Sequence, residues 1–273
     1  MIRFIPKSIF GLGLFFTLCI FSSCRNDEDA IVHINPDEFT AEDQRIIGLR
    51  LKETILEDTH NFPVLTLENS QAEEEVEAYL NSLIRTLAVT APVVNRNNFD
   101  WSITIVDNDE DLNLFTSPGG HFFIYTGLLK YLQSENELLG VLAHEMLYTD
   151  SDVLIDGLRE AFSSEELGDV LLFNTVAEIE NMALWLRDAS FSEKDGTKAD
   201  SFAVDIMCPF LFDAGSLNTF LDRAQQDERP VSWLSKRPSS PDRMERIASQ
   251  VSSCGNNERI YTERYQSIIG KID

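Results

Sequence analysis

His144 and Glu145 are adjacent residues whose side chains suit metal-assisted hydrolysis, and they lie in an apolar stretch that predicts a helix. In an HExxH motif, two histidines four positions apart share one face of a helix and both bind a zinc ion. The glutamate between them activates the zinc-bound water. Here Tyr148 stands at the second histidine position. A phenol with a pKa near ~10 is a poor zinc ligand at neutral pH. The pattern therefore keeps one ligand and the general base.

A small sheet and a series of helices are predicted to position this pair. Apolar residues alternate with polar ones over residues 101–105, which is typical of a half-buried strand. A Pro-Gly-Gly break separates them from a second predicted strand at residues 121–125. Ser134 is placed to cap the motif helix, and helical periodicity continues over residues 165–186. The predicted fold class is α+β, mostly helical, with one small sheet.

Two runs of sequence, one before the motif and one containing it, resemble a single family of zinc peptidases. They are Asn113–Leu129, with the sequence NLFTSPGGHFFIYTGLL, and Glu135–Glu145, with the sequence ENELLGVLAHE. Both resemble segments of the CAAX prenyl protease and HtpX-like metallopeptidases, the gluzincins of metallopeptidase family forty-eight. The resemblance covers roughly residues 70–251. It implies a zincin-like, mostly helical metallopeptidase domain with a small β-sheet beside the motif helix.

The resemblance also implies a set of site residues and identifies the chain as a degenerate member. His144 would be the remaining zinc ligand, and Glu145 would be the general base if the protein is active. Tyr148 and Gly196 stand where the family has a histidine and a glutamate ligand. Asp200 matches an aspartate that supports a ligand histidine from behind. Restoring histidine at position 148 and glutamate at position 196 should then create a zinc site.

A third family signature, His-Pro, is represented here by Ser240-Pro241, so another histidine is absent. Glu193 and Asp195 lie near Gly196 and are candidates to replace the missing carboxylate. Zinc sites use about three or four good protein ligands. We therefore expect that zinc is not bound tightly, and that it is the cofactor only if substitute ligands complete the site.

The resemblance places a peptide substrate along the strand that follows the paired glycines. Gly119, Gly120, His121 and Phe122 would form this substrate edge, where a peptide adds as a further strand. The expected partner is a peptide or an unfolded protein of the cell envelope.

The N-terminal residues predict export and lipid attachment. Residues 1–23 combine a short basic region with an apolar stretch of signal-peptide length. Small residues precede Cys24, as in a bacterial lipobox whose cysteine is acylated. Residues 24–39 would then be a lipid-anchored acidic tether, and residues 40–273 the metallopeptidase-like domain. The predicted location is the bacterial cell envelope, on the outer membrane, with a simple secretory signal as the alternative.

The net charge excludes some classes of ligand, and the two remaining cysteines bear on the redox state of the compartment. A net charge of -24 argues against nucleic-acid binding, which needs Lys and Arg to displace counterions. It also requires any membrane attachment to use an anchor other than a basic patch. Cys208 and Cys254 would reside in an oxidising compartment, where a disulfide between them is possible. Two unrelated buried thiols are the alternative.

Three hypotheses about function follow from this pattern. In the first, the chain is a pseudopeptidase that binds peptide or protein partners at the envelope. In the second, it is an active zinc metalloendopeptidase that uses substitute ligands. In the third, it is an envelope lipoprotein without any function in its cleft.

Overall fold

The computed structural model describes residues 38–173, 178–210, 212–255 and 260–272. The predicted signal peptide, Cys24 and nearly all of the predicted tether lie outside the described residues. Within the described ranges the chain forms a three-stranded sheet and twelve α-helices. The helices are α1 Ala41–Glu57, α2 Ser70–Ala88, α3 Thr126–Tyr131, α4 Glu135–Asp150, α5 Val153–Ala161, α6 Ser164–Leu171, α7 Ile179–Asp188, α8 Glu193–Met207, α9 Ser216–Gln226, α10 Ser232–Ser235, α11 Arg243–Val251 and α12 Thr262–Ile269. The predicted α+β class, mostly helical with a small sheet, is confirmed.

The sheet consists of β1 Ser102–Val106, β2 Leu114–Ser117 and β3 His121–Tyr125, in the order β1-β3-β2. β1 runs parallel to β3, and β2 runs antiparallel to it. Gly119 and Gly120, with φ of 79° and 86°, make the turn that joins β2 to β3. A side chain at either position would be strained there, which explains the paired glycines.

The expectation that residues 119–122 form a substrate edge is wrong in this topology. His121 and Phe122 belong to the central strand, which is hydrogen-bonded to β1 on one side and to β2 on the other. The His121 ring is buried, with Nδ1 2.9 Å from Ser102 Oγ, and burial lowers the pKa of His121 to about 4. A strand with both neighbours in place has no free backbone groups for a peptide.

Helix α4, which carries the motif, is a core helix. Every residue of α4 except Leu147 is buried, including the polar residues at its two ends and the His144-Glu145 pair. Ser134 caps it, since its Oγ accepts a hydrogen bond from the Glu137 N–H. Two clusters of buried side chains meet at this helix: Leu138, Leu142 and Met146 belong to one, and Tyr148 belongs to the other. Packing on both sides fixes the positions of His144 and Glu145.

A disulfide joins Cys208, directly after α8, to Cys254, shortly after α11, with Cα atoms 5.2 Å apart. The chain between them contains α9, α10, the loop that follows α10, and α11. Among the described helices, none combines the length and the apolar character needed to cross a membrane.

Candidate functional site

Glu145 on α4 is fully buried and is held by a buried arginine from the loop after α10. Arg237 Nη2 lies 2.6 Å from Glu145 Oε1, and Arg237 Nε donates to Glu145 Oε2 at 2.8 Å. The indole N–H of Trp233 donates to the same Oε2 at 3.0 Å. The Arg237 and Glu145 side chains are 2% and 1% exposed. Both carboxylate oxygens are therefore occupied, and the pair is a bidentate ion pair removed from water.

Arg237 is positioned by aromatic rings as well as by Glu145. Its guanidinium carbon lies 5.1 Å from the centre of the Tyr148 ring and 4.7 Å from that of Phe191. These two rings stack on each other at 4.2 Å. Arg237 Nη1 donates to the carbonyl of Ala189 at 2.8 Å. The negative charge of Glu145 balances the buried guanidinium. Burial alone would lower the pKa of Arg237, but the charge and hydrogen bonds of Glu145 raise it.

His144 is the centre of a second buried cluster. Asp200 Oδ1 lies 3.3 Å from His144 Nε2, so the predicted contact between these residues is present. Arg243 Nη2 lies 3.2 Å from the same Nε2 and donates to Asp200 Oδ1 at 2.6 Å. Burial lowers the pKa of His144, so the ring is neutral. Nε2 thus faces a carboxylate, which can only accept, and a guanidinium, which can only donate, and the tautomer of the ring decides which of the two it bonds to.

Asp200 is the acceptor for most of this cluster. Arg246 Nη2 and Ser239 Oγ donate to its Oδ2 at 3.1 and 2.6 Å, and Arg243 binds the other oxygen. Burial alone would raise the pKa of Asp200, but the contact with His144, the positive charge of Arg243 and the hydrogen bond from Ser239 hold it at about 2. Asp200 is therefore ionised under physiological conditions and balances the buried arginine.

The positions where the family resemblance implies further zinc ligands hold groups that do not fit a zinc ion. Tyr148 is buried, and burial raises the pKa of its phenol, which stays protonated. Gly196 is covered by the loop: a Cβ built there would lie 1.8 Å from the carbonyl oxygen of Pro238. Ser240 Oγ accepts a hydrogen bond from Arg246 Nε at 3.0 Å. None of the three supplies a ligand.

The two candidate substitute ligands point to other partners. Asp195 accepts hydrogen bonds from Ser192 Oγ at 2.5 Å and from Lys198 Nζ at 3.2 Å. Glu193 is exposed in the first turn of α8. Within the part of the chain that the structure describes, no three His, Cys, Asp or Glu side chains are grouped so as to hold a metal. The residues around His144 and Glu145 suit two guanidinium groups, and they do not fit a zinc ion.

Sequence reasoning missed the residues that contact the motif pair most closely. They are Trp233 of α10, Arg237 of the loop after α10 and Arg243 at the start of α11, about 90 to 100 positions after His144 and Glu145. The local sequence pattern around these residues does not indicate that they are buried or which acids they pair with.

Comparison with known proteins gives matches of one kind. The sequence profile of peptidase family M48 matches residues 73–251. The beta-barrel assembly-enhancing protease of Escherichia coli strain K12 is 24% identical over 182 residues, which cover 59% of this chain and 36% of that protein. The mitochondrial metalloendopeptidase OMA1 of Schizosaccharomyces pombe is 25% identical over 177 residues, covering 60% and 50%. The chain thus spans about a third to a half of the length of these curated relatives.

Proposed function

Because the chain belongs to peptidase family M48, whose members depend on zinc, we propose that it is a pseudopeptidase that binds peptide or protein partners. The observation that carries the proposal is the pairing of Arg237 with Glu145 and of Arg243 with His144 and Asp200. The guanidinium groups of Arg237 and Arg243 contact the residues that would otherwise bind a metal ion and activate its water.

The chemistry of peptide hydrolysis explains why this pairing opposes catalysis. A general base must reach the water that it activates and must take up a proton from it. Both Glu145 oxygens accept charge-assisted hydrogen bonds instead, and the guanidinium that donates them does not release a proton. His144 directs Nε2, the nitrogen nearest Asp200, toward Arg243 rather than toward a metal.

The alternative is an active metalloendopeptidase that acts on envelope proteins. It is favoured by the intact His144-Glu145 pair and by the matched relatives, which are named as proteases and metalloendopeptidases. This alternative requires both Arg237 and Arg243 to leave their acidic partners and requires other residues to supply the missing ligands. The partner in either case would be a peptide or an unfolded envelope protein.

The two functions are separated by the metal content and activity of the full-length protein. We expect elemental mass spectrometry to find no more zinc in the wild type than in His144→Ala, even after incubation with added zinc and dialysis. We also expect equal, background cleavage of unfolded casein by the wild type and by Glu145→Gln. Zinc near one per chain that is lost in His144→Ala, together with cleavage that is lost in Glu145→Gln, would establish the alternative.

The location is a separate part of the proposal. We propose that acylation of Cys24 anchors the domain at the bacterial cell envelope, on the outer membrane, with residues 24–39 as its tether. A chain with a net charge of -24 is repelled by anionic lipid head groups, and a covalently attached lipid anchors it without needing basic residues. In a bacterial host, we expect labelled palmitate to be incorporated into the wild type and not into Cys24→Ser. Equal labelling of the two proteins would refute the anchor.

A further inference from the structure

A groove lies beside the arginine-filled centre, on the far side of Phe191. Its volume is about 650 Å³, which falls in the range of ligand sites in proteins. The groove is lined by residues of α5, by Trp185 of α7 and by the first residues of α8 with the loop before it. Phe191 belongs to both places, since it lines the groove and also stacks on Tyr148 beside Arg237. An occupant of the groove would therefore contact the same ring that holds Arg237.

The segment that carries Trp233 and Arg237 covers Glu145 on the side next to β2, where a peptide would otherwise reach it. The backbone N–H of Trp233 donates to the carbonyl of Leu112, two residues before β2, at 3.0 Å. The Trp233 side chain is fully buried, with Phe220 and His144 rings 5.7 and 5.0 Å away. A peptide lying above Glu145 would have to displace this packed indole. The groove beside Phe191 requires no such displacement.

The chemistry of the groove favours a cationic side chain. Trp185 lies directly over Gly157, where a Cβ would come within 2.8 Å of the indole. The missing side chain thus allows a broad aromatic surface to lie against α5. Asp156 and Glu160, one turn apart on α5, lie beside this surface. Asp156 pairs with Arg159, and Glu160, four positions further along the helix, adds a second negative charge to the lining of the groove.

The side chains that line the groove carry a net negative charge. Its lining includes the carboxylates Asp156, Glu160 and Asp195 and the ammonium of Lys198. Lys198 pairs with Asp195 at 3.2 Å, and Arg159 pairs with Asp156 at the same distance but is not part of the lining. A guanidinium can stack on an indole and donate to carboxylates at the same time, which an ammonium does less well.

We propose that this groove binds an arginine-bearing peptide segment, with the guanidinium over Trp185 and hydrogen-bonded to Asp156 and Glu160. This inference rests on the proposed peptide-binding function and names the place and the ligand class. The specificity comes from charge and from the aromatic surface, and the buried Glu145 and His144 take no part in it.

The test uses intrinsic fluorescence, because the three tryptophans differ in burial. Trp101 and Trp233 are buried, whereas Trp185 is partly exposed in the groove. The full-length protein is titrated with an acetylated pentapeptide of serine, arginine, valine, arginine and serine. The comparison peptide has citrulline, which is neutral and nearly isosteric, in place of both arginines. We expect a change in fluorescence and an affinity for the arginine peptide about tenfold or more above that for the citrulline peptide.

Matched variants locate the binding. Asp156→Asn/Glu160→Gln should weaken the arginine peptide about tenfold or more. The control, Glu74→Gln/Glu77→Gln, removes the same charge from the exposed face of α2 and should leave affinity unchanged. Circular dichroism checks that both variants are folded.

Each of the other outcomes contradicts the proposed binding site in the groove. Arginine-peptide binding that is equal in all variants would place the ligand elsewhere and leave the peptide-binding function standing. Equal binding of the two peptides would remove the cation preference. Binding of neither peptide would remove the groove as a ligand site, whereas the pseudopeptidase proposal itself fails only through zinc and cleavage in the same preparation.

Discussion

Replacing Arg237 with methionine is expected to lower the free energy of unfolding by about 3–5 kcal/mol. The substitution keeps much of the side-chain volume between Tyr148 and Phe191 but removes the charge. Glu145 then stays fully buried with only the Trp233 N–H to stabilise its carboxylate. The large cost arises because an ionised group without a counterion is left in a region without water. Chemical denaturation of the wild type and the variant measures it.

Two further variants make this result specific. Arg237→Met/Glu145→Gln should recover most of the loss, since a buried pair can be replaced by uncharged groups at little cost. Lys236→Met, at the adjacent position, removes a cation whose partner Asp188 is half exposed, so it should cost within about 1 kcal/mol. A small effect of Arg237→Met, or a double variant no more stable than the single one, would mean that Glu145 is hydrated and available for chemistry.

Replacing Gly196 with alanine is expected to destabilise the fold by about 3 kcal/mol, although alanine is the better helix former. The new methyl group would lie 1.8 Å from the Pro238 carbonyl oxygen, which belongs to the backbone and has no rotamer to adjust. Either α8 or the loop that carries Arg237 must move. Thermal and chemical unfolding of the variant measure this cost.

The control for this substitution is an exposed position on the same helix. Lys194→Ala changes the helix propensity of α8 without a steric conflict, and its effect should stay within about 0.5 kcal/mol. A neutral or stabilising Gly196→Ala would show that the loop over α8 is free to open. The space for a metal ligand would then exist.

The same conflict changes what is expected from restoring the family residues. Histidine at 148 and glutamate at 196 were predicted from the sequence to create a zinc site. With the Pro238 carbonyl against Gly196, and with Arg237 and Arg243 bound to Glu145 and Asp200, we expect that these two substitutions alone will not create the site. A metal ion would also have to displace both guanidinium groups.

Local patterns in the sequence predicted the elements well where one periodicity dominates. Ser134 and the apolar residues after it predicted α4, and the fold class followed from the small sheet beside it. The predicted helix over residues 165–186 is two helices in the structure, because α6 ends at Leu171 and Phe173 takes a φ of 60°. A single residue with left-handed backbone is not visible in hydrophobic periodicity.

Strand order and long-range pairing were less accessible. All five residues of β3 are buried, with Phe122 and Ile124 in one core cluster and Phe123 and Tyr125 in the other. An unbroken apolar run of this kind is typical of a central strand, but the run alone does not say which strands flank it. The pairing of Arg237 with Glu145, 92 residues apart, depends on the folded loop and leaves no local pattern.

The disulfide between Cys208 and Cys254 encloses Trp233, Arg237 and Arg243 within one loop. This segment binds Glu145 and His144 as an intramolecular ligand, held near them by the disulfide. A tether of such length gives an effective concentration of roughly millimolar order. A free peptide present at about 1 μM would need about 4 kcal/mol more binding free energy than the segment to compete for the space above Glu145. The covered centre is therefore protected by local concentration as well as by its ion pairs.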